Sequence, residues 1–372
     1  MSWVLIITAV VVAAIDWFTA KPKVGEAQWP RWAKLSCAVV VAGVGVVGLL
    51  AGYFDRGAGI AAYKQRNLLA AIEKLNSAYA SPFKNREVLD YLGLAHKNIA
   101  DQAVDGPVAK ASYQKALTYL LESRVRYPDS PYAKNAMINI YRRQKNWSDL
   151  TPLSRSFESE LRAGTLRRDG EQLSDEHRAV FWVTLGNVFA DQDYPNRSDE
   201  HAVALYDLAQ KLDPDNMFLV LNMPPRLIDL ARTLPVESAE RVELLKKALA
   251  LSVDGLELDE PRDKVFSVLS VIQILMMENA PPVPIPEYTL SKALQVVSDN
   301  PEARADFDID TWFVLTEAYL QAGEREKAKD AFNQALIYQA RFTQEHKNWA
   351  KKLWSSVIDA NDFPFQQLLG SQ

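Results

Sequence analysis

The residue types able to ligate a transition metal or act as nucleophile and base are few: His96, His177, His201 and His346, with Cys37 as the one cysteine. No two histidines stand at the spacing a zinc site requires, so each reads as a surface residue of a helix. A lone cysteine excludes an intrachain disulfide and a cysteine zinc site. Glu257 and Asp259 could share acid–base work, but they fall in a charged turn and read as solvated surface. Gly43, Gly45 and Gly48 match the G-x-G-x-x-G spacing that cradles a pyrophosphate. That chemistry needs a strand-to-helix turn, and these glycines lie inside an uncharged apolar run. Neither G-x-x-x-x-G-K-[ST] nor G-x-S-x-G occurs. The sequence therefore gives no catalytic residues, no metal site and no cofactor, and the chain is expected not to be an enzyme.

The elements that carry these residues follow from composition. A chain of 372 residues has room for two or three structural units. It is 48% hydrophobic and 24% charged, ordinary values for a folded protein. Its net charge is -5, unevenly placed. The first 56 residues hold five basic and three acidic groups, and the remainder 37 basic and 44 acidic. An acidic body lacks the basic face that neutralises phosphates, which argues against nucleic acid as a partner.

Two apolar runs open the chain. Residues 2–19 read SWVLIITAVVVAAIDWFT and residues 35–54 read LSCAVVVAGVGVVGLLAGYF. The second has 20 residues without a charge, enough to cross a hydrocarbon core of ~30 Å at ~1.5 Å per residue. The first stops at Asp16, beside Trp17 and Phe18, an aromatic pair suited to the headgroup boundary. A cleaved signal peptide fits it less well, because no basic residue precedes it and Phe18 breaks the small-residue pattern before Ala20. The link carries Lys21, Lys23, Arg31 and Lys34 with Trp29 and Trp32. Positive loops stay cytoplasmic, so both ends of the chain, and the bulk behind the spans, are expected on the periplasmic or extracytoplasmic side of the inner membrane. Ala38 and Ala42, and Gly48 and Gly52, stand four apart, a spacing at which membrane helices can approach closely.

From Ile60 onward, apolar residues recur at three- and four-residue steps, as in Leu68, Leu69, Ile72, Leu75 and Tyr79. Helix breaks are expected at Ser81-Pro82, Asp105-Gly106-Pro107, Pro128 to Pro131, Asp213-Pro214 and Pro281 to Pro286. Helix pairs with short links predict an all-α chain. A transmembrane anchor over 1–56 precedes an α-solenoid over 57–350, and a capping helix and tail over 351–372 close it.

Two segments resemble the tetratricopeptide repeat. One is Trp182-x2-Leu185-Gly186-x2-Phe189, then Ala202-x3-Tyr206-x2-Ala209 and Pro214. The other is Trp312-x2-Leu315-Thr316-x2-Tyr319, then Ala328-x3-Phe332-x2-Ala335. The turn in the first is four residues longer than the family's. In the second, Thr316 replaces the usual glycine and Ala340 the closing proline, while Gly323 sits at the turn. A degenerate copy places Met137, Ile138 and Tyr141 in the first helix and Trp147 and Leu150 in the second. Small residues at Gly186 and Ala202 let two helices cross closely, and large ones fill the space to the neighbours.

The resemblance implies a concave groove, lined by first helices, that takes a partner peptide or helix. Its lining is expected one helical step from the core stripe: Asn135, Asn139, Arg142 and Arg143, then Val183, Asn187 and Asp191, then Asn222, then Phe313 and Glu317. Val183 stands where one variant of the family carries a carboxylate-gripping lysine, so that activity is not expected. In layout the chain resembles two anchored kinds of repeat protein. One is the periplasmic repeat subunit of cytochrome c maturation, whose loop between spans is long where this one is short. The other is the single-span, chaperone-associated periplasmic type. The expected function is a non-catalytic membrane-anchored scaffold that binds partner proteins in assembly or as a chaperone. A fixed subunit of a membrane complex is the alternative.

Overall fold

The computed structural model describes residues 52–81, 84–103, 106–168, 170–277, 280–281 and 289–357. The expected spans over 2–19 and 35–54 lie outside them, apart from the last three residues of the second. Among the described residues no helix is long and apolar enough to cross a membrane.

The described chain is almost entirely helical and divides into two compact units, residues 1–173 and 174–372. The first unit begins with a helical stretch over residues 52–64. Then come α1 (Leu68–Ala80), α2 (Arg86–Gln102), α3 (Gly106–Arg126), α4 (Pro131–Arg143) and α5 (Trp147–Ala163). A two-residue antiparallel hairpin, Arg167–Arg168 against Glu171–Gln172, closes it. The second unit holds α6 (Asp175–Phe189), α7 (Asp199–Leu212), α8 (Met217–Thr233), α9 (Ala239–Asp254) and α10 (Pro261–Leu275). It continues with α11 (Leu290–Asp299), α12 (Ile309–Gln321), α13 (Arg325–Ile337) and α14 (Gln344–Val357).

Within each unit a helix packs on the next in sequence and on the next but one, and α2·α3, α6·α7, α8·α9 and α12·α13 are the closest pairs. Such neighbour-only packing is solenoid-like. Side chains start many of the helices: Asn85 accepts from the Val88 N–H, Ser174 from His177, Ser198 from His201 and Asp308 from Thr311. Each satisfies a backbone donor that the first turn leaves free. Proline sits at the start of α4 and α10, where its missing N–H costs nothing. The expected breaks at Gly106-Pro107 and Pro131 fall at helix starts, and the one at Pro214 falls between helices. Pro152 in α5 and Pro224-Pro225 in α8 are different: they lie inside helices.

Four turns share one closing bond. The N–H of the residue preceding the second helix donates to a carbonyl near the end of the first: Asn67 to Ala62, Asn146 to Tyr141, Ser198 to Phe189 and Glu324 to Tyr319, at 2.8–3.0 Å. Three of these turns span five residues, and the Phe189–Ser198 turn is longer by four. In the short turns the residue before the donor lies in the left-handed region: Arg66 (φ 61), Lys145 (φ 54) and Gly323 (φ 78). Only the last is the residue type that adopts this conformation without strain.

Helix crossings use small against large. A Cβ added to Gly186 would lie 2.3 Å from the Tyr206 ring, and one added to Gly93 would lie 2.5 Å from Leu120. Tyr206, Leu120, Leu185, Ala202 and Phe332 are fully buried. Thr316, at the position matching Gly186, is buried and turns its hydroxyl back to the Trp312 carbonyl at 2.8 Å.

Candidate functional site

The expected groove residues fall on both units. On α4, Asn135, Asn139 and Arg143 stand at four-residue steps and share a face. Arg143 is exposed, and Asn139 and Arg142 are half-buried. The Asn139 amide donates to the Asn135 carbonyl at 3.1 Å, and Asn135 Oδ1 is buried without a hydrogen-bond partner. Near Arg143, the Tyr113 hydroxyl donates to Asp101 at 2.6 Å. Burial and that carboxylate push the Tyr113 phenol up to about 12, and Arg143 opposes the shift. This face presents cation and amide together, a pattern that can pair with a carboxylate or a peptide group.

In the second unit the expectation needs correction. Val183 and Phe313 occupy matching positions on α6 and α12, and both are core residues, 3% and 0% exposed. Phe313 stacks among Phe332, Phe342 and Trp349, with ring centroids 5.1–6.2 Å apart. The reason is α14. It packs on α12 and α13, so the face that a final helix pair would leave open is already covered. Glu317 meets the same helix, accepting from Trp349 Nε1 at 3.0 Å and Lys352 Nζ at 3.2 Å. Asn187 is tied inward as well, since the Tyr206 hydroxyl donates to its Oδ1 at 2.6 Å. The Asn222 amide returns to the Phe218 carbonyl at 2.7 Å, and Asp191 accepts from the Asp193 N–H at 3.1 Å.

The sequence reading missed a cavity of about 840 Å³ beside α12 and α13. Trp312, Tyr319 and Tyr338 give it an aromatic wall, with Arg304, Lys327 and Asn333 at polar positions. Lys327 pairs with Glu324 at 2.6 Å, and that bond first of all raises its ammonium above the usual lysine range. The signal was present in the chain. Only the ten residues of α11 and a 3-10 turn over Pro301–Asp306 stand directly before α12. Asp330 lines it too, so the cations are balanced locally, and the aromatic wall suits an apolar side chain.

Of the small membrane-run residues, Ala38, Ala42 and Gly48 lie outside the described residues, and Gly52 lies in the helical stretch over 52–64. The histidines serve packing and caps. His96 is buried and stacks on Tyr119, and burial lowers its pKa. His177 Nδ1 meets the capping Ser174 hydroxyl at 2.6 Å, His201 stands edge-on to Phe189, and His346 meets Asp310 at 2.8 Å. Among the described residues no group of three or more His, Cys, Asp or Glu is placed to hold a metal ion. The chain matches no model of a known protein family, and a search of curated proteins finds no match.

Proposed function

We propose that this chain is a membrane-anchored scaffold of tetratricopeptide-like helix pairs that binds partner proteins at the cell envelope, in assembly or in a chaperone-like role, and catalyses no reaction. The observation that carries the reading is the shared turn bond at Asn146, Ser198 and Glu324. It falls in the three segments whose residues resemble the repeat, and the extra length falls in the segment with the longer turn. The seating of Tyr206 against Gly186 adds the small-against-large crossing expected there. Partner segments are proposed to meet the α4 face of the first unit at Asn139 and Arg143 and, as a separate contact, the aromatic cavity of the second unit beside α12. The anchor and its orientation rest on the uncharged run over 35–54 and on the basic link Lys21 to Lys34.

Crosslinking in intact cells tests the scaffold. Parent chain and an Asn139→Ala/Arg143→Ala variant are compared for the partner they trap. The reading expects the variant to fold as the parent does and to lose the partner. Parental yield from the variant would remove the α4 face from the proposal. Recovery of the chain only within a large stoichiometric complex after mild detergent would favour a fixed subunit instead.

A further inference from the structure

Within the first unit the start of α2, the end of α3 and the start of α4 surround a cavity of about 470 Å³. Among the described residues four arginines line it, Arg56, Arg86, Arg126 and Arg167, against two carboxylates, Glu87 and Asp129. With the neighbouring Lys84, Asp90 and Glu122 included, five cations face four carboxylates among the described residues, a surplus of one positive charge. Arg56 pairs with Glu87, Arg86 stands 3.7 Å from Asp90, and Arg126 meets Glu122 at 2.8 Å. Glu122 is shared with Lys84 at 2.6 Å. Arg167 binds the carbonyls of Gly164 and Leu166, which carry no charge.

A second observation is independent of the arginines. Ser130 precedes α4 at the capping position, yet its hydroxyl makes no cap bond. The residue is 3% exposed, lines the cavity, and its Oγ is buried without a partner. A buried hydroxyl lacking an acceptor is costly. It stands at the N-terminal end of a thirteen-residue helix, where the backbone dipole favours negative charge. On α2 the matching position is satisfied, because Asn85 caps Val88. An acceptor is thus lacking at one helix start, inside a cavity lined by four arginines.

The geometry points to a binding site for a phosphate group, held by Arg126 and Arg167 and accepting from the Ser130 hydroxyl. Guanidinium forks match the oxygens of a phosphate, and its negative charge meets the cavity's positive surplus. The volume exceeds that of a bare phosphate, which fits a phosphate ester. Two sources share this chemistry. Arg56 follows the exposed Tyr53 and Phe54, where the expected second span ends, so a lipid headgroup would be within reach. A soluble phosphate ester is the other source. The site itself stands independently of the scaffold reading and of the anchor.

The test uses the full chain purified in detergent, with inorganic phosphate as probe and phosphorus NMR line broadening as readout. Saturable binding is expected. An Arg126→Gln/Arg167→Gln variant should weaken it at least about tenfold, since charge-assisted hydrogen bonds are lost. Circular dichroism checks that the variant is folded, and the single Arg126→Gln, on a half-exposed side chain, gives a milder second case. Micelles containing phosphatidic acid, but not phosphatidylcholine, should compete with the probe if the phosphate is lipid-borne. Binding that neither lipid displaces assigns a soluble ester. No saturable binding, or equal binding by folded parent and double variant, overturns the site.

Discussion

Gly186→Ala is the sharpest test of how the helix pairs are built. The new methyl group would stand 2.3, 2.7 and 2.9 Å from three atoms of the Tyr206 ring. That ring is fully buried, and its hydroxyl is anchored on Asn187 at 2.6 Å. It cannot swing aside without repacking its neighbours and stretching that bond. Overpacking costs about 1–3 kcal/mol, and loss of the hydrogen bond about 0.5–1.5 kcal/mol. Alanine returns about 1 kcal/mol through its better helix propensity. The net expectation is a loss of about 1–3 kcal/mol, or roughly 2–4 °C per kcal/mol in the melting of a unit of this size. Near-UV circular dichroism during thermal unfolding reads it. Gly57→Ala is the control, because nothing lies within 4 Å of a Cβ there and the residue is helical and exposed. It should leave stability unchanged or raise it. Shrinking the ring by Tyr206→Leu should reduce the penalty of Gly186→Ala, giving a coupling energy in a double-mutant cycle. An alanine at 186 that melts at or above the parent, or a cycle without coupling, would refute the close crossing.

Leu185→Ala removes a fully buried side chain and should cost about 2–5 kcal/mol in the same melt; an unchanged transition would move the α6 register. Lys145→Gly, at φ 54 in a turn where the equivalent residue is Gly323, should stabilise by up to ~1 kcal/mol in chemical denaturation. At Glu122 burial pulls the carboxyl upward, but bonds from Lys84 and Tyr79 and the charge of Arg126 outweigh it and hold the pKa below the ordinary 4.5. A depressed carboxylate adds stability above its unfolded pKa and loses it as pH falls through the folded one. The stability gap between the parent and Glu122→Gln should therefore narrow as pH falls below 4.5, and a gap constant with pH would contradict this. A phosphatase fused at the C-terminus should be active outside the cytoplasm if the basic link sets the orientation, and cytoplasmic activity of a matched reporter would reverse it.

Helix existence was legible because its signals are local. Three-and-four periodicity gave the stripes, and proline and glycine gave breaks near helix ends. Core identity followed from the repeat pattern, so Leu185, Gly186, Ala202 and Tyr206 took their expected places. What failed was the assignment of a free face. Val183 and Phe313 lie one helical step off the stripe, as groove residues should, yet both are buried. Exposure at such positions depends on what packs next, and α14 lies some thirty residues beyond Phe313 in the chain. Asn187 could not be told from a binding residue either, because its partner Tyr206 sits on another helix across a long turn. Pro224-Pro225 marks a break by local rule, but burial of Met223, Pro224 and Leu227 holds α8 together around it. The arginine cavity draws on distant segments, from Arg56 to Gly170, and no window of sequence contains it.

The placement of α14 bears on whether such a chain stays solitary. A row of helix pairs ends in an apolar face, and that face fits the start of another row as well as it fits its own next helix. Unshielded, it invites head-to-tail stacking that never closes on itself, and so filament growth. Here Trp349, Leu353 and Trp354 lie against the aromatic cluster of α12 and α13 and fill the position a neighbouring molecule would take. A chain cut after Ile337 should expose Phe313 and sediment as aggregates that lengthen with concentration, while the parent keeps a fixed size.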